Sequence, residues 1–169
     1  MLTERQARIG KLARSNKARL STDDFLNGLS GALGRPMSSD SLLAISESDA
    51  LRIAHRYGYQ KTVIRAANTY RDLQSQSGLA AIGIKIEKLR HQLQNESAIL
   101  LPSHFELCVR IETNEVLNHF KAVLKFDCDT LMLASPAGED GLMLDWNPDD
   151  REETYEFAVW GESWTGALY

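Results

Sequence analysis

A chain of 169 residues is long enough to bury a core of its own without disulfide or metal staples. Hydrophobic residues make up 43% and charged ones 25%, and no apolar run approaches the ~20 residues that span a bilayer, which excludes a disordered chain, a collagen-like fibre and a membrane-spanning protein. The net charge of -4 conceals two unlike halves: residues 1–100 hold 15 Lys+Arg against 9 Asp+Glu, and residues 101–169 hold 4 against 14, which points to two surfaces with different partners.

From Thr3 to about Arg19, Leu2, Ile9, Leu12 and Leu20 fall within one arc of a 3.6-residue helix, and Arg5, Arg8, Lys11, Arg14 and Lys17 surround it. The pattern predicts a basic helix with a narrow apolar seam. Its Thr3-Glu4-Arg5-Gln6 opening resembles a capping box and lacks the apolar core of a secretory signal, so it reads as structure rather than targeting. Ser21-Thr22-Asp23-Asp24 supplies an N-cap and first-turn acids for a helix over Phe25 to Leu33, stopped at Gly34-Arg35-Pro36. Ser46 or Ser48 caps a helix to about Arg56, Gly58 breaks it, and Lys61 to Gln74 forms another, with Val63, Ala66, Ala67, Tyr70 and Leu73 on one side.

Leu79, Ile82, Ile86, Leu89 and Leu93 step by three and four residues, predicting a helix with an a/d seam that packs inside its own domain; the other use of the seam is a homodimer. From Pro102 the period changes to two. Phe105, Leu107, Val109 and Ile111 alternate with polar residues, Phe120, Ala122, Leu124 and Phe126 do the same, and segments 130–134, 142–146 and 154–160 follow between turn-rich stretches. The expected fold is therefore α+β. A basic helical part of about five helices, residues 1–97, is followed by an acidic antiparallel meander of about five strands, residues 102–169, with the two parts free to pack as one unit. Cys108 and Cys128 fit neither a zinc site nor a disulfide, because a hairpin over 105–126 places Cys108 opposite Lys121 and well away from Cys128; free thiols favour a reducing cytoplasm.

The stretch from Ala50 to Thr69 carries the sharpest functional signal. Ala54 is the small residue that a helix crossing requires, and Gly58, four residues on, is a turn residue tolerant of positive φ, with Ile53, Tyr57 and Tyr59 alongside and Ile64 and Ala67 in the second helix. This resembles the helix-turn-helix of bacterial and phage repressors. The resemblance implies that Gln60, Lys61, Thr62 and Arg65 enter the major groove of double-stranded DNA while Lys61 and Arg71 meet phosphates, with Arg52 and Arg56 adding charge in a window, between Asp49 and Asp72, that holds no acid.

The acidic part interleaves aromatics with carboxylates. Asp145, Trp146, Asp149, Asp150, Glu152, Glu153 and Trp160 are the candidates for a face that takes a basic protein, in the manner of bacterial immunity proteins and antitoxins that neutralise basic toxins. The alternative is that the aromatics are core and the acids solubilise the sheet. Asp145, Asn147, Asp149 and Glu156 match loop positions of a calcium-binding EF-hand, but Asp150 replaces the required glycine and the flanks read as strands. His55, His91, His104 and His119 are scattered, and no nucleophile motif or phosphate loop accompanies them. The expectation is a non-enzymatic DNA-binding regulator without cofactor or metal, or a toxin-neutralising protein.

Overall fold

The computed structural model describes residues 21–75, 78–147 and 154–169. The helix expected over Thr3 to Arg19 lies outside them. The first element, α1 (Thr22–Leu33), forms where its local signals place it. The backbone N–H of Asp24 donates to Ser21 Oγ at 3.2 Å, Asp23 and Asp24 sit at the positive end of the helix dipole, and Gly34, at φ 71°, ends the helix with its N–H on the carbonyl of Ser30. Phe25, Leu26, Leu29 and Leu33 form its buried face. Ser21→Ala removes the cap acceptor, and we expect it to cost about 1 kcal/mol of stability in urea unfolding.

The next helix corrects the expected pair. α2 runs unbroken over Ile45–Val63, with Gly58 in its interior and Ser48 buried within it, its Oγ accepting from the N–H of Cys108 at 2.9 Å. A short turn follows, with Arg65 at φ 54° and Asn68 at φ 55°, and then strand β1 (Thr69–Ser75). The segment from Ala50 to Thr69 is thus one helix and a turn, and no second helix spans Lys61 to Gln74. Partnership decides this. β1 pairs with the last strand over seven positions, from Thr69 opposite Trp160 to Ser75 opposite Thr154, and that ladder outweighs the apolar spacing that read as helical.

α3 (Leu79–Gln92) matches the expected helix. Ile82, Ile86, Leu89 and Leu93 lie in the main core of their own chain and Leu79 packs against it, so the seam is used internally. After β2 (Ser97–Leu100) and β3 (Val109–Glu112) come two short helices, α4 (Thr113–Asn118) and α5 (Phe120–Phe126), where the alternation predicted a strand. Their buried residues, Val116, Leu117, Val123 and Leu124, recur at helical spacing. With helix in that place, Cys108 does not face Lys121; Cys108 is buried, Cys128 is exposed, and the two form no disulfide. β4 (Thr130–Ala134), β5 (Gly141–Asn147) and β6 (Thr154–Trp160) then form the expected meander, and α6 (Glu162–Gly166) closes the chain.

The architecture is α+β around a six-stranded antiparallel sheet of order β1-β6-β5-β4-β2-β3. One face carries the main core, in which Phe25, Leu29, Ile82 and Ile86 from the helical part meet Leu131, Leu133, Leu142, Leu144 and Phe157 from the strands. α2 packs on the opposite face, over a smaller cluster of Leu43, Ile99, Leu101, Cys108 and Ala134. Among the described residues no helix is long and apolar enough to cross a membrane.

Candidate binding surface

Two faces of α2 have opposite fates. Toward the sheet it presents His55, Gly58 and Thr62, each buried. The Trp160 indole lies directly under Gly58: a Cβ there would stand 1.9 Å from its Nε1, and one on Gly141 of the neighbouring strand would stand 2.2 Å from its Cζ2. The ring therefore fills a slot with a glycine on either side. His55 closes the slot edge-on, 4.5 Å from the Trp160 ring centroid, and its Nε2 donates to the carbonyl of Leu142 at 3.0 Å. Burial lowers the His55 pKa to about 4, against the opposing pull of the Leu142 hydrogen bond, so the ring is neutral at pH 7.

Away from the sheet, α2 and the turn after it expose apolar side chains that nothing in the described structure covers. Ile53 is 55% exposed, Tyr57 64%, Val63 49% and Ile64 77%. Tyr57, Gln60, Lys61, Val63 and Ile64 line an open depression of about 500 Å³. Lys61 lines it, and Arg56 and Arg65, both exposed, flank it along the chain. A large exposed apolar group rimmed by cations is the composition of a docking surface rather than of a solvated helix face.

The structure sorts the residues expected to touch DNA into two sets. Gln60, Lys61 and Arg65 are exposed together at the end of α2, with Arg56 nearby. The other three serve the fold. Arg52 Nη2 donates to the carbonyls of Pro102 (2.8 Å) and Phe105 (2.7 Å), pinning the loop before β3. Thr62 is buried and donates to the carbonyl of Tyr59 at 2.7 Å. Arg71, on β1, donates through Nε to Glu156 Oε1 at 2.5 Å, and Tyr59 donates its hydroxyl to the same oxygen at 2.7 Å. Burial, reinforced by Glu156, pushes the Tyr59 phenol up to about 12.

The acidic candidates are corrected in part. Trp160 is 2% exposed, Tyr155 and Trp164 are buried, and the partly buried Trp146 packs against the main core, so these four serve the interior rather than a partner-facing patch. Asp145 accepts from Thr130 Oγ1 at 2.7 Å. Asp149, Asp150, Glu152 and Glu153 lie outside the described residues. Asp145 and Glu156 stand opposite each other on paired strands, which is ladder geometry and not a calcium loop, and no three His, Cys, Asp or Glu side chains among the described residues are placed to hold a metal.

One buried carboxylate stands apart. Asp127 is 4% exposed, accepts from the N–H of Ser103 at 2.8 Å and from Ser103 Oγ at 2.9 Å, and so clips the loop that Arg52 pins from the other side. Desolvation raises its pKa to about 7 despite those donors, which favour the charged form.

Sequence reasoning placed Ile53, Tyr57 and Ile64 inside a two-helix unit, and their exposure was missed for that reason. The available signal was that Leu51, His55, Gly58 and Thr62 already occupy one face of a single helix, which leaves 53, 57 and 64 on the other. Comparison with models of known protein families, with curated proteins and with solved structures finds no match.

Proposed function

We propose that this chain is a non-enzymatic binding protein that docks a protein partner on the outward face of α2 and the turn after it. The observation that carries this is the cluster of exposed Ile53, Tyr57, Val63 and Ile64 ringed by Arg56, Lys61 and Arg65, which fits a partner presenting apolar side chains bordered by acids. Two cysteines that form no disulfide, one of them buried, favour a reducing, cytoplasmic setting.

A second reading, double-stranded DNA, is favoured by the exposed Arg56, Lys61 and Arg65 in a stretch with no acid between Asp49 and Asp72. It uses one exposed helix end in place of a recognition helix, and the negative pole of the α2 dipole at that end works against it. Neutralisation of a basic toxin by the acidic sheet is less favoured, because Glu156 is already engaged by Tyr59 and Arg71 and Tyr155, Trp160 and Trp164 are buried.

The readings separate on two sets of variants. If a protein docks there, a partner captured from host extract by the wild-type chain is lost with Tyr57→Ala, which costs about 2 kcal/mol of binding. If DNA docks there, fluorescence anisotropy of a duplex shows binding that weakens steeply with salt, and Lys61→Ala and Arg65→Ala each lower the salt slope by about 1. Capture unaffected by Tyr57→Ala, together with no duplex binding at low salt, overturns both.

A further inference from the structure

The outward face of α2 is divided in charge along its length. Its N-terminal half exposes Glu47 and Asp49, and its C-terminal half exposes Arg56 and Lys61. At 3.6 residues per turn, Asp49, Ile53, Tyr57 and Gln60 run down the stripe opposite the buried His55, Gly58 and Thr62. Arg56 lies on one flank of that stripe together with Ile45, which is 57% exposed, and Val63. Glu47 and Lys61 lie on the other flank.

We propose that, on the docking reading of α2 given above, the partner is a second copy of this chain, the two α2 helices lying antiparallel about a two-fold axis level with Ala54. Three observations carry this. The first is that the charges complement themselves. A two-fold axis between antiparallel helices sets each flank against the same flank of the other copy, run in reverse. Glu47 stands seven residues before Ala54 and Lys61 seven after it, so Glu47 meets Lys61 of the second copy and the reverse. On the other flank Asp49 meets Arg56 of the second copy; the two are offset by three residues, about 4.5 Å along the axis, which an arginine side chain spans. Glu47 also accepts from the N–H of Ala44 at 3.2 Å, which holds its carboxylate in place at the helix start and leaves its charge.

The second is the apolar pattern. Ile53 and Tyr57 with their symmetry mates fill the centre, and Ile45, nine residues before Ala54, meets Val63, nine after it. The acid-bordered apolar surface that the basic end of α2 fits is thus the other end of the same helix. The third is orientation. Antiparallel helices set the positive pole of one dipole beside the negative pole of the other, whereas a parallel pair would stack Arg56 and Lys61 on their own copies. The described neighbours of this face leave it accessible: α2 crosses the sheet where Gly141 pairs with Trp160, about 20 Å along the ladder from Asn147 and Thr154, and Phe25, near the start of the described chain, lies in the core on the other face.

The test uses the purified full chain. Sedimentation equilibrium of the wild type gives a dimer that dissociates on dilution, and Tyr57→Ala weakens it. Asp49→Arg and Arg56→Asp each set like charges together twice per dimer and raise the dimer Kd about tenfold. An equimolar mixture of these two variants pairs each introduced charge with its opposite and returns Kd close to the wild-type value, which also shows that both variants are folded. A wild-type chain that stays monomeric, single variants that leave Kd unmoved, or a mixture that associates no better than its components overturns the proposal. A monomer that captures a different host protein, lost with Tyr57→Ala, overturns the second copy as partner and leaves the docking reading of α2 standing. A dimer indifferent to Tyr57→Ala and to both charge reversals assigns self-association to another surface and likewise overturns the proposal.

Discussion

Gly58→Ala lowers the stability of this protein by about 3 kcal/mol, read as the midpoint of urea unfolding by far-ultraviolet circular dichroism. In an isolated helix the same change stabilises by roughly 1 kcal/mol, because alanine restricts the unfolded chain and glycine does not. Here the new methyl would lie 1.9 Å from Trp160 Nε1 and 2.4 Å from its Cδ1. The indole cannot retreat across the sheet, because on that side it already rests on Gly141. Either α2 lifts from the sheet, uncovering Trp160 and His55, or the ring leaves its rotamer. Trp160→Phe shortens the ring on the colliding side, so the double variant loses less than the sum of the two singles, by about 1 kcal/mol. A stabilising Gly58→Ala would show that helix and sheet are not in contact there.

The second large effect is a pair of opposed pH dependences. His55 is neutral in the fold with a pKa of about 4 against an ordinary 6.5. A lowered histidine pKa means that its contribution is complete above pH 6.5 and is lost as pH falls toward 4, by about 3 kcal/mol. Asp127 behaves oppositely. Its folded pKa of about 7 lies above the ordinary 3.8, so its contribution is complete below pH 3.8 and is lost as pH rises through 7, by about 4 kcal/mol. Across the same window the two nearly cancel, so between pH 4 and 7 they leave the wild-type stability almost flat.

Single variants uncouple them. Relative to wild type, Asp127→Asn gains stability as pH rises from 4 to 8, because it removes the cost of a buried charge while keeping an acceptor for Ser103. His55→Gln, which keeps a donor within reach of the Leu142 carbonyl, gains stability relative to wild type as pH falls below 6.5. Chemical unfolding at pH 4.5, 6 and 8 reads both. If the two difference curves slope the same way, one of these groups is not buried in the state assigned to it.

What could be read locally was read well. α1 carries its own stop and start signals, Ser21 and Gly34, and α3 carries a five-residue seam, so neither needs a distant partner to declare its period. Residues 120–126 show the limit. Phe120, Ala122, Leu124 and Phe126 alternate as a strand does, yet the same seven residues bury Val123 and Leu124 as a helix, and only the position of α1 against α5 selects between them. Gly58 shows it more sharply. A glycine four residues after an alanine signals a turn when the chain is read alone, because positive φ is the usual reason for a glycine; here the reason is a tryptophan 102 positions away in sequence.

The candidate surface was half legible for the same reason. Gln60, Lys61 and Arg65 were named through the helix-turn-helix resemblance, and what survives of it is the acid-free basic window around Lys61 and Arg65, a property of composition that folding does not alter. That Arg52 and Arg71 would be withdrawn from it, one to the carbonyls of Pro102 and Phe105 and one to Glu156, depends on pairings 50 or more residues apart.

By itself, then, the sequence determined the α+β class, the caps of α1, the internal seam of α3, the β4–β5–β6 meander and the uneven division of charge, all of which follow from near neighbours and residue counts. The tertiary structure alone decided that Ala50–Val63 is one helix, that Thr69–Ser75 is an edge strand, that Tyr155, Trp160 and Trp164 are core, and that Ile53, Tyr57 and Ile64 face outward. The physical reason is common to these four. A side chain's period states only that it shares a face with its neighbours, and which face is buried is settled by the partner it meets, here Trp160 in the slot between Gly58 and Gly141.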